Sequence, residues 1–453
     1  TMRCRAICLL AFFTVLETAP RAAAADQPNI IFILFDDLGY GEPVCYRANS
    51  EFKMPNLDRL AREGMRFSDA HSATAVCTPT RYGVLTGRYP CRIGQYGVLT
   101  TFSPPIIPAE RLTVAALLKK HGYHTACIGK WHLGMTWDAK KKDAKDVPIG
   151  TRVTGGANAL GFDVFHGFTH ARNIGMIFDN DRVATRVQPV ETQPLMARKA
   201  IAYLDERAKA GGPFFLYLPL CTPHTPIVPA PEFVGKSGAK EYGDWIYQGD
   251  WVVGQVLEAL ERHKLADNTL IIVSSDNGAA GRPYAPLRGS KSDIYEGGHR
   301  VPFVARWPGK VKPGSVCDDT VCLNDLLATA ADIVGAKLPA NAGEDSESIL
   351  PDLLGTAKSP VREATIHQSP ARDLAIRQGP WKLIFHQNGK RELYNLKTDL
   401  GEKQEVAAAN PEVVERLTKQ MQQYIAAGRS TPGAAQQNDA EIPLSGNAKK
   451  QPR

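Results

Sequence analysis

Apolar runs ended by short polar turns punctuate the chain from residue 29 onward. Asn29-Ile-Ile-Phe-Ile-Leu-Phe35 shows no polar alternation and stops at Asp36-Asp37. A run without period-two alternation predicts a strand buried on both faces. His124 to Ile128, Phe214 to Leu218 and Leu270 to Ser275 predict further strands of this kind. Helical spacing of apolar positions occupies the stretches between them. Pro55 to Gly64 has Pro near its start and Gly at its end; Leu112 to Gly122, Leu195 to Ala210 and Trp251 to His263 follow. Alternating strands and helices predict an α/β fold, a large mixed and mainly parallel sheet sandwiched by helices.

The pattern changes between Pro351 and Pro360. Beyond it, Ala375-Ile376, Trp381 to His386 and Glu392 to Asn395 predict short antiparallel strands, and Pro411 to Ala427 a closing helix. This divides the chain into a catalytic-type domain over 26–355 and a smaller C-terminal subdomain over 356–429. The stretch 430–453, rich in Ala, Gln, Asn, Pro and Lys, predicts a disordered tail. At the other end, Arg3 and Arg5, the apolar stretch Ala6 to Leu16 and the small residues Ala22 to Ala25 have the layout of a secretory signal peptide over 1–25. The apolar run is too short to span a bilayer, and neither Cys4 nor Cys8 sits in a lipid-attachment triplet. Export without a membrane anchor is therefore expected, to a periplasmic or extracellular location.

Composition narrows the picture by exclusion. Across 453 residues, 43% are hydrophobic and 22% charged, which excludes disordered, collagen-like and coiled-coil chains. Nine cysteines are too few for a disulfide scaffold. The net charge of +7 is spread along the chain and does not argue for a nucleic-acid partner. Its one notable cluster, Lys140-Lys141-Lys142-Asp143-Ala144-Lys145, reads as a solvated loop.

Candidate chemistry gathers at the predicted strand ends. In open α/β sheets, ligands bind beyond the carboxyl ends of the strands. Four predicted strands end in Asp36-Asp37, Lys130 with His132, His224, and Asp276-Asn277. Each alone is also an ordinary turn sequence or a surface or core side chain. Three carboxylates and an amide oxygen suit a hard cation, Ca²⁺ or Mg²⁺, rather than zinc. A separate segment, Cys77-Thr78-Pro79-Thr80-Arg81 through Leu85-Thr86-Gly87-Arg88, predicts a short helix with Thr78 as N-cap, Pro79 at its first position and Gly87 at its end. Cys77 would lie at the positive end of that helix, with Arg81 one turn away, a place that favours an anion.

Cys-Thr-Pro-Thr-Arg followed by Leu-Thr-Gly-Arg resembles the signature of the type I, formylglycine-dependent sulfatases, arylsulfatase-like members of the alkaline phosphatase superfamily. Five further segments resemble that family's motifs in its order: Asp36-Asp37-Leu-Gly-Tyr-Gly, Gly129-Lys130-Trp131-His132-Leu133-Gly134, Pro223-His224-Thr225-Pro226, Ser275-Asp276-Asn277-Gly278, and Arg288-Gly289-Ser290-Lys291 with Glu296-Gly297-Gly298-His299-Arg300. The likeness extends from about Pro28 to Ala427. It implies that a formylglycine-generating or anaerobic maturation enzyme oxidises Cys77 to Cα-formylglycine. The hydrated aldehyde would attack sulfur and pass through a sulfo-enzyme intermediate. It implies one Ca²⁺, with Mg²⁺ the lesser alternative, on Asp36, Asp37, Asp276, Asn277 and an oxygen of residue 77. Arg81 and Lys130 would hold the hydrate and sulfate, and Lys291 the sulfate and bridging oxygen. His224 would protonate the departing alcohol, and His132 would take the proton of the second hydroxyl. His170, Arg172 and Asn173 fall where the family contacts substrate beyond the sulfate, and His299 replaces an aliphatic residue and is a further candidate sugar contact. Thr80 stands where the family more often has Ser and keeps the hydroxyl. Without Cys4, Cys8 and Cys77, six cysteines remain whose pairing stays open.

Three functions are compatible with these residues. The first is an exported bacterial sulfatase acting on a sulfated saccharide. The second is a related phosphomonoester, phosphodiester or phosphonate hydrolase, which would call for additional metal ligands. The third is an inactive relative that binds sulfated glycans, which an intact Cys77 segment disfavours.

Overall fold

The computed structural model describes residues 27–138 and 143–445. The signal-peptide segment and Lys140 to Lys142 lie outside the described residues. A ten-stranded sheet forms the body of the protein. From one edge its strands are Ser315–Cys317, Met65–Phe67, Phe303–Arg306, Thr269–Ser275, Asn29–Asp36, Phe214–Pro223, His124–Lys130, Val164–Phe168, Met176–Asp179 and Arg182–Arg186. The five from Thr269–Ser275 to Val164–Phe168 run parallel, and antiparallel strands flank them.

The central strand shows why an unbroken apolar run was needed. All of Asn29–Asp36 is buried. Ile30, Phe32 and Leu34 pack with Val84, Leu85, Leu117, Leu118 and Leu327, on the helices Cys77–Thr86, Val114–Lys120 and Leu326–Ile333. Ile31, Ile33 and Phe35 face the other way, onto Leu57, Leu60, Met196, Trp245 and Leu257 of the helices Pro55–Glu63, Pro189–Ala210 and Lys240–Arg262. Each such side chain contributes roughly 1.5–3 kcal/mol relative to exposure, on both faces of one strand.

Two helices begin earlier than the pattern predicts. The first starts at Pro189 and carries Pro194 inside it; Pro189 at the first position and Glu191 accepting from the Gln188 backbone N–H secure its start. The second starts at Lys240, and its added turns bury Asp244 and Asp250. These polar positions break the apolar spacing because they serve other backbones. Asp250 accepts from the N–H groups of Asn56 and Leu57 at 2.9 and 2.8 Å, capping the helix Pro55–Glu63 from outside.

The C-terminal subdomain is a four-stranded antiparallel sheet in the order Thr365–Gln368, Leu374–Gln378, Trp381–Phe385 and Arg391–Asn395. The first strand, half polar, has no clear apolar pattern in sequence. The helix Pro411–Ala426 packs Val413, Leu417 and Met421 onto Leu383, Phe385 and Leu393. The predicted disorder after 429 does not hold for 430–445. Arg88 donates to Asp439 and to the Gln437 carbonyl, both at 2.7 Å, Arg92 donates to Asn438 at 2.9 Å, and Ile442 is buried. The buried guanidinium groups of Arg88 and Arg92 need acceptors, and this segment supplies them. No helix among the described residues is long and apolar enough to cross a membrane, and no disulfide joins the seven described cysteines.

Ending the chain at Arg429 should lower the free energy of unfolding by about 2–4 kcal/mol, since it removes the Asp439 partner and the burial of Ile442. Urea unfolding of the two chains checks this, and equal midpoints would show that 430–445 contributes nothing.

Candidate active site

Four neighbouring parallel strands deliver the predicted polar residues to one chamber. Asp36 ends the central strand and Asp37 follows it in a left-handed turn, φ 72°. Asp37 donates its N–H to Asp276 Oδ1 at 3.1 Å, and Leu38 donates to Ser275 Oγ at 2.8 Å, so the ends of adjacent strands are tied together. Lys130 is the last residue of its strand, and His132 turns away at φ 55°. Gly129 allows this strand to approach its neighbour: a Cβ there would lie 1.9 Å from the Pro219 carbonyl oxygen.

The helix carrying Cys77 begins two residues earlier than expected. Val76 is its N-cap and Cys77 its first residue, while Gly87 closes it in the left-handed conformation, φ 64°, as predicted. Thr78 has a different task from capping, accepting the Leu99 N–H at 3.1 Å. The Thr80 hydroxyl donates to the carbonyls of Thr74 and Val76, both at 3.1 Å, and so fixes the turn that presents residue 77. Cys77, Asp36 and Asp276 each place a ligand atom within 4.8 Å of the others. Burial first of all raises the Cys77 thiol above its usual range.

Every cationic side chain of the chamber is bound to a carboxylate. Arg81 donates to Asp276 Oδ2 at 2.7 and 3.2 Å and to the Lys130 carbonyl at 3.1 Å. Lys130 Nζ donates to both oxygens of Asp36 at 2.9 and 2.7 Å, and Lys291 Nζ to both of Asp37 at 2.6 and 2.8 Å. Burial raises the Asp276 carboxyl to about 7, with Asp36 adding to the effect. For Asp36, burial pulls the same way but is overcome by Lys130, His224 and Arg81, which hold it below the usual carboxylate range. Adjacent buried carboxylates driven apart in this way mark a site that gains from a cation. Asn277 adds a sharper sign. Its Nδ2 donates to Asp37 Oδ1 at 2.8 Å, while its Oδ1 is buried with no hydrogen-bond partner. Three carboxylates and an unsatisfied amide oxygen are a hard oxygen donor set that fits a divalent cation of the Ca²⁺ or Mg²⁺ type.

Two imidazoles border this chamber. His132 Nε2 donates to the Leu99 carbonyl at 3.0 Å, which leaves a buried Nδ1 with no partner. His224 Nδ1 donates to the Thr225 carbonyl at 2.5 Å, and its Nε2 stands 3.8 Å from Asp37 Oδ2. Cys77, Lys130, His132, His224 and Lys291 line a cavity of about 420 Å³ together with His170 and Arg172. Asn173 lies outside it, on the wall of an adjoining cavity, 3.4 Å from Thr169 Oγ1. The loop Gly97 to Thr100, Ser292 and Pro370 also line the cavity, and nothing in the sequence pattern pointed to them.

His299 does not face the cavity. It is fully buried behind the site, where its Nδ1 meets His71 Nδ1 at 3.1 Å, its Nε2 meets Lys382 Nζ at 3.0 Å and its ring stacks on His367 at 3.9 Å. His71 Nε2 in turn bonds Asp69 at 2.8 Å. His299 Nε2 also lies 3.1 Å from the Ile294 carbonyl, and Arg377 Nη1 lies 3.1 Å from His71 Nε2, so every ring nitrogen of this pair has polar neighbours. The stacked rings, 9° apart in plane, share no in-plane point where a metal could sit. Arg300, Arg377, Glu296 and Glu402 complete the charges around the cluster. A histidine here is thus explained by the strand Thr365–Gln368, which brings His367 against it.

A donor set that fits a hard cation, beside a helix N-terminus and ringed by Arg, Lys and His at the carboxyl ends of a parallel sheet, is the arrangement of a hydrolase of anionic esters. The family profile described as Sulfatase matches residues 28–336, and one described as N-sulphoglucosamine sulphohydrolase, C-terminal, matches 290–429. The N-acetylgalactosamine-6-O-sulfatase of Bacteroides thetaiotaomicron is 31% identical over 87% of this chain and 92% of its own. Human arylsulfatase A is 34% identical over 90% and 89%. A solved Bacteroides thetaiotaomicron structure, described under metabolism of multiple glycosaminoglycans, superposes with a TM-score of 0.80 at 29% identity, covering 88% of this chain and 99% of that one. The chain belongs to the sulfatase family, within the alkaline phosphatase superfamily, and is a sulfuric ester hydrolase.

The histidine cluster behind the site makes stability depend on pH. Burial, first of all, holds His71, His299 and His367 below the ordinary histidine range. The unfolded chain takes up these protons near pH 6.5 while the folded chain refuses them, so stability is full above about pH 7 and falls as pH drops below that. His367→Gln should flatten this fall by up to about 1.4 kcal/mol per pH unit. Urea midpoints between pH 5 and 8 measure it, and parallel curves would remove His367 from the effect.

Proposed function

We propose that the protein is an exported sulfatase of sulfated carbohydrates that acts through Cα-formylglycine at position 77 and a bound Ca²⁺. The observation that carries this reading is the position of Cys77, the first residue of a buried helix, within 4.8 Å of Asp36 and Asp276 and inside the ring of Arg81, Lys130 and Lys291. The carbohydrate class rests on the glycan named for the Bacteroides relative, and export on the leader-like pattern of residues 1–25.

Asp36, Asp37, Asp276, Asn277 and an oxygen of residue 77 would hold the cation. Four protein oxygen donors from neighbouring strand ends leave little room for the water shell that Mg²⁺ keeps, which favours Ca²⁺. When bound there, the cation would supply charge for a sulfate oxygen and would lower the pKa of a hydroxyl on residue 77. A maturation enzyme that oxidises residue 77 gives it an aldehyde whose hydrate offers one hydroxyl to attack sulfur and a second through which sulfate is later expelled. The remaining steps belong to residues already in place. Arg81 and Lys130 orient residue 77 and the sulfate, with their charges fixed by Asp276 and Asp36 before substrate arrives. Lys291, which lines the same cavity, would hold the sulfate and bridging oxygen. His224 delivers a proton to the departing alcohol from Nε2, since Nδ1 is held by the Thr225 carbonyl. His132 offers its unpartnered Nδ1 to the proton of the second hydroxyl.

Mass spectrometry of the peptide containing residue 77, from a host competent for the modification, should show Cα-formylglycine; an unmodified thiol in fully active protein would sink the mechanism. Cys77→Ala should lower kcat by at least about 10³-fold with the fold intact by circular dichroism. His224→Ala should slow alkyl and sugar sulfates by about 10²–10⁴-fold, yet aryl sulfates with good leaving groups far less. Equal losses on both substrate types would remove His224 as the general acid.

A further inference from the structure

We propose that the cavity adjoining the catalytic one is a subsite for a second acidic group on the saccharide, so that the preferred substrates are polyanionic glycans rather than singly sulfated ones. This rests on the sulfatase reading above and adds to it. The adjoining cavity, about 470 Å³, shares Thr100, His170 and Arg172 with the catalytic one, and each is within the ~300–1,000 Å³ of small-molecule sites. A sugar whose sulfate lies at residue 77 would therefore have its neighbour directed past His170 and Arg172.

The charge of this second cavity is positive and unneutralised. Arg172, Arg186 and Lys145 line it, against a single carboxylate, Asp143. Lys145 Nζ stands 3.4 Å from Asp143 and accounts for that carboxylate. Among the described residues no carboxylate lies within ion-pair range of Arg172 or Arg186. Arg186 is nevertheless held in place. One of its terminal nitrogens donates to the carbonyls of Ala144 and Val147, both at 2.7 Å. Backbone carbonyls position a guanidinium without cancelling its charge, and its remaining N–H groups stay available for the planar, two-point binding of a carboxylate or sulfate. Arg172 is set by its backbone, whose N–H donates to His170 Nδ1 at 3.2 Å. His170 Nε2 then donates to Thr101 Oγ1 at 2.8 Å, so this imidazole stays neutral and forms the uncharged wall between the two anion sites. Burial first, and then Lys130 and Arg172, push it down to about 4.

A carboxylate and a sulfate ester would both satisfy this geometry, and defined substrates separate them. The measurement is kcat/KM of the full-length, formylglycine-bearing enzyme on oligosaccharides with one scissile sulfate, whose neighbouring sugar is neutral, a uronate, or sulfated. The acidic neighbours should be preferred over the neutral one by about tenfold or more, mainly through KM, and the preference should shrink as ionic strength rises. Arg186→Gln should bring the ratio toward one, and Arg186→Lys should restore only part of it, because lysine lacks the fork. A preference for one acidic neighbour alone identifies which group the subsite takes. Turnover of all three substrates at equal kcat/KM would overturn the subsite while leaving the sulfatase reading intact; turnover of none would count against that reading itself.

Discussion

Three carboxylates and three cationic side chains share one largely buried chamber at the carboxyl ends of the central strands, and the rest of the molecule is arranged to keep them there. Asp36, Asp276, Arg81 and Lys130 have no solvent-exposed side-chain surface. Burying a charge without a partner costs several kcal/mol, and removing one member of a buried pair typically costs 3–5 kcal/mol, roughly. The chamber is tolerable because each cation meets a carboxylate within 2.9 Å. That matching has to be set by backbone, and it is. The parallel register of four strands fixes the carboxylates, and the helix Cys77–Thr86 fixes Arg81 one turn from residue 77.

The same constraint explains what could be read from sequence. Strand ends were legible because doubly buried strands admit small hydroxyl side chains but no charged one until their ends, so Asp36, Lys130 and Asp276 appear at abrupt breaks. The stop of the Cys77 helix was legible at Gly87, since only a residue without a Cβ takes that left-handed position easily. The features that escaped depend on partners distant in sequence. Asp250 looks like a break in an amphipathic helix until the N-terminus of Pro55–Glu63 is placed beneath it. The 430–445 segment looks disordered by composition until Arg88 and Arg92 are seen to need its acceptors. His299 resembled a cavity residue because it stands where the family carries an aliphatic side chain, yet Lys382 and His367, far along the chain, draw it inward.

That inward histidine gives the C-terminal subdomain a role in the site. The strand Thr365–Gln368 is tied to the approach to Cys77, with Ala75 N donating to the Gln368 carbonyl at 3.1 Å and Gln368 N to the Ala73 carbonyl at 3.0 Å. The Ser292 N–H donates to the Ala75 carbonyl at 2.9 Å, joining the Lys291 segment to the same stretch. Residue 77 and Lys291 are thus positioned against one another partly through a sheet that contributes little of the cavity wall.

Charge counting then connects the chamber to its substrate. With all six groups ionised, the three carboxylates and three cations sum to zero, so the chamber by itself has no net pull on an anion. A bound divalent cation would turn that balance into an excess of two positive charges, concentrated where residue 77 sits. A sulfate monoester carries one negative charge at neutral pH, so site and substrate together would still lack one. Arg172 and Arg186, unpaired among the described residues at the outer end of the cavities, extend the excess outward rather than cancel it. The +7 of the whole chain says little about ligands. Its local distribution says more, because a field that stays positive from the chamber to the rim favours a substrate whose negative charge is likewise spread along its length.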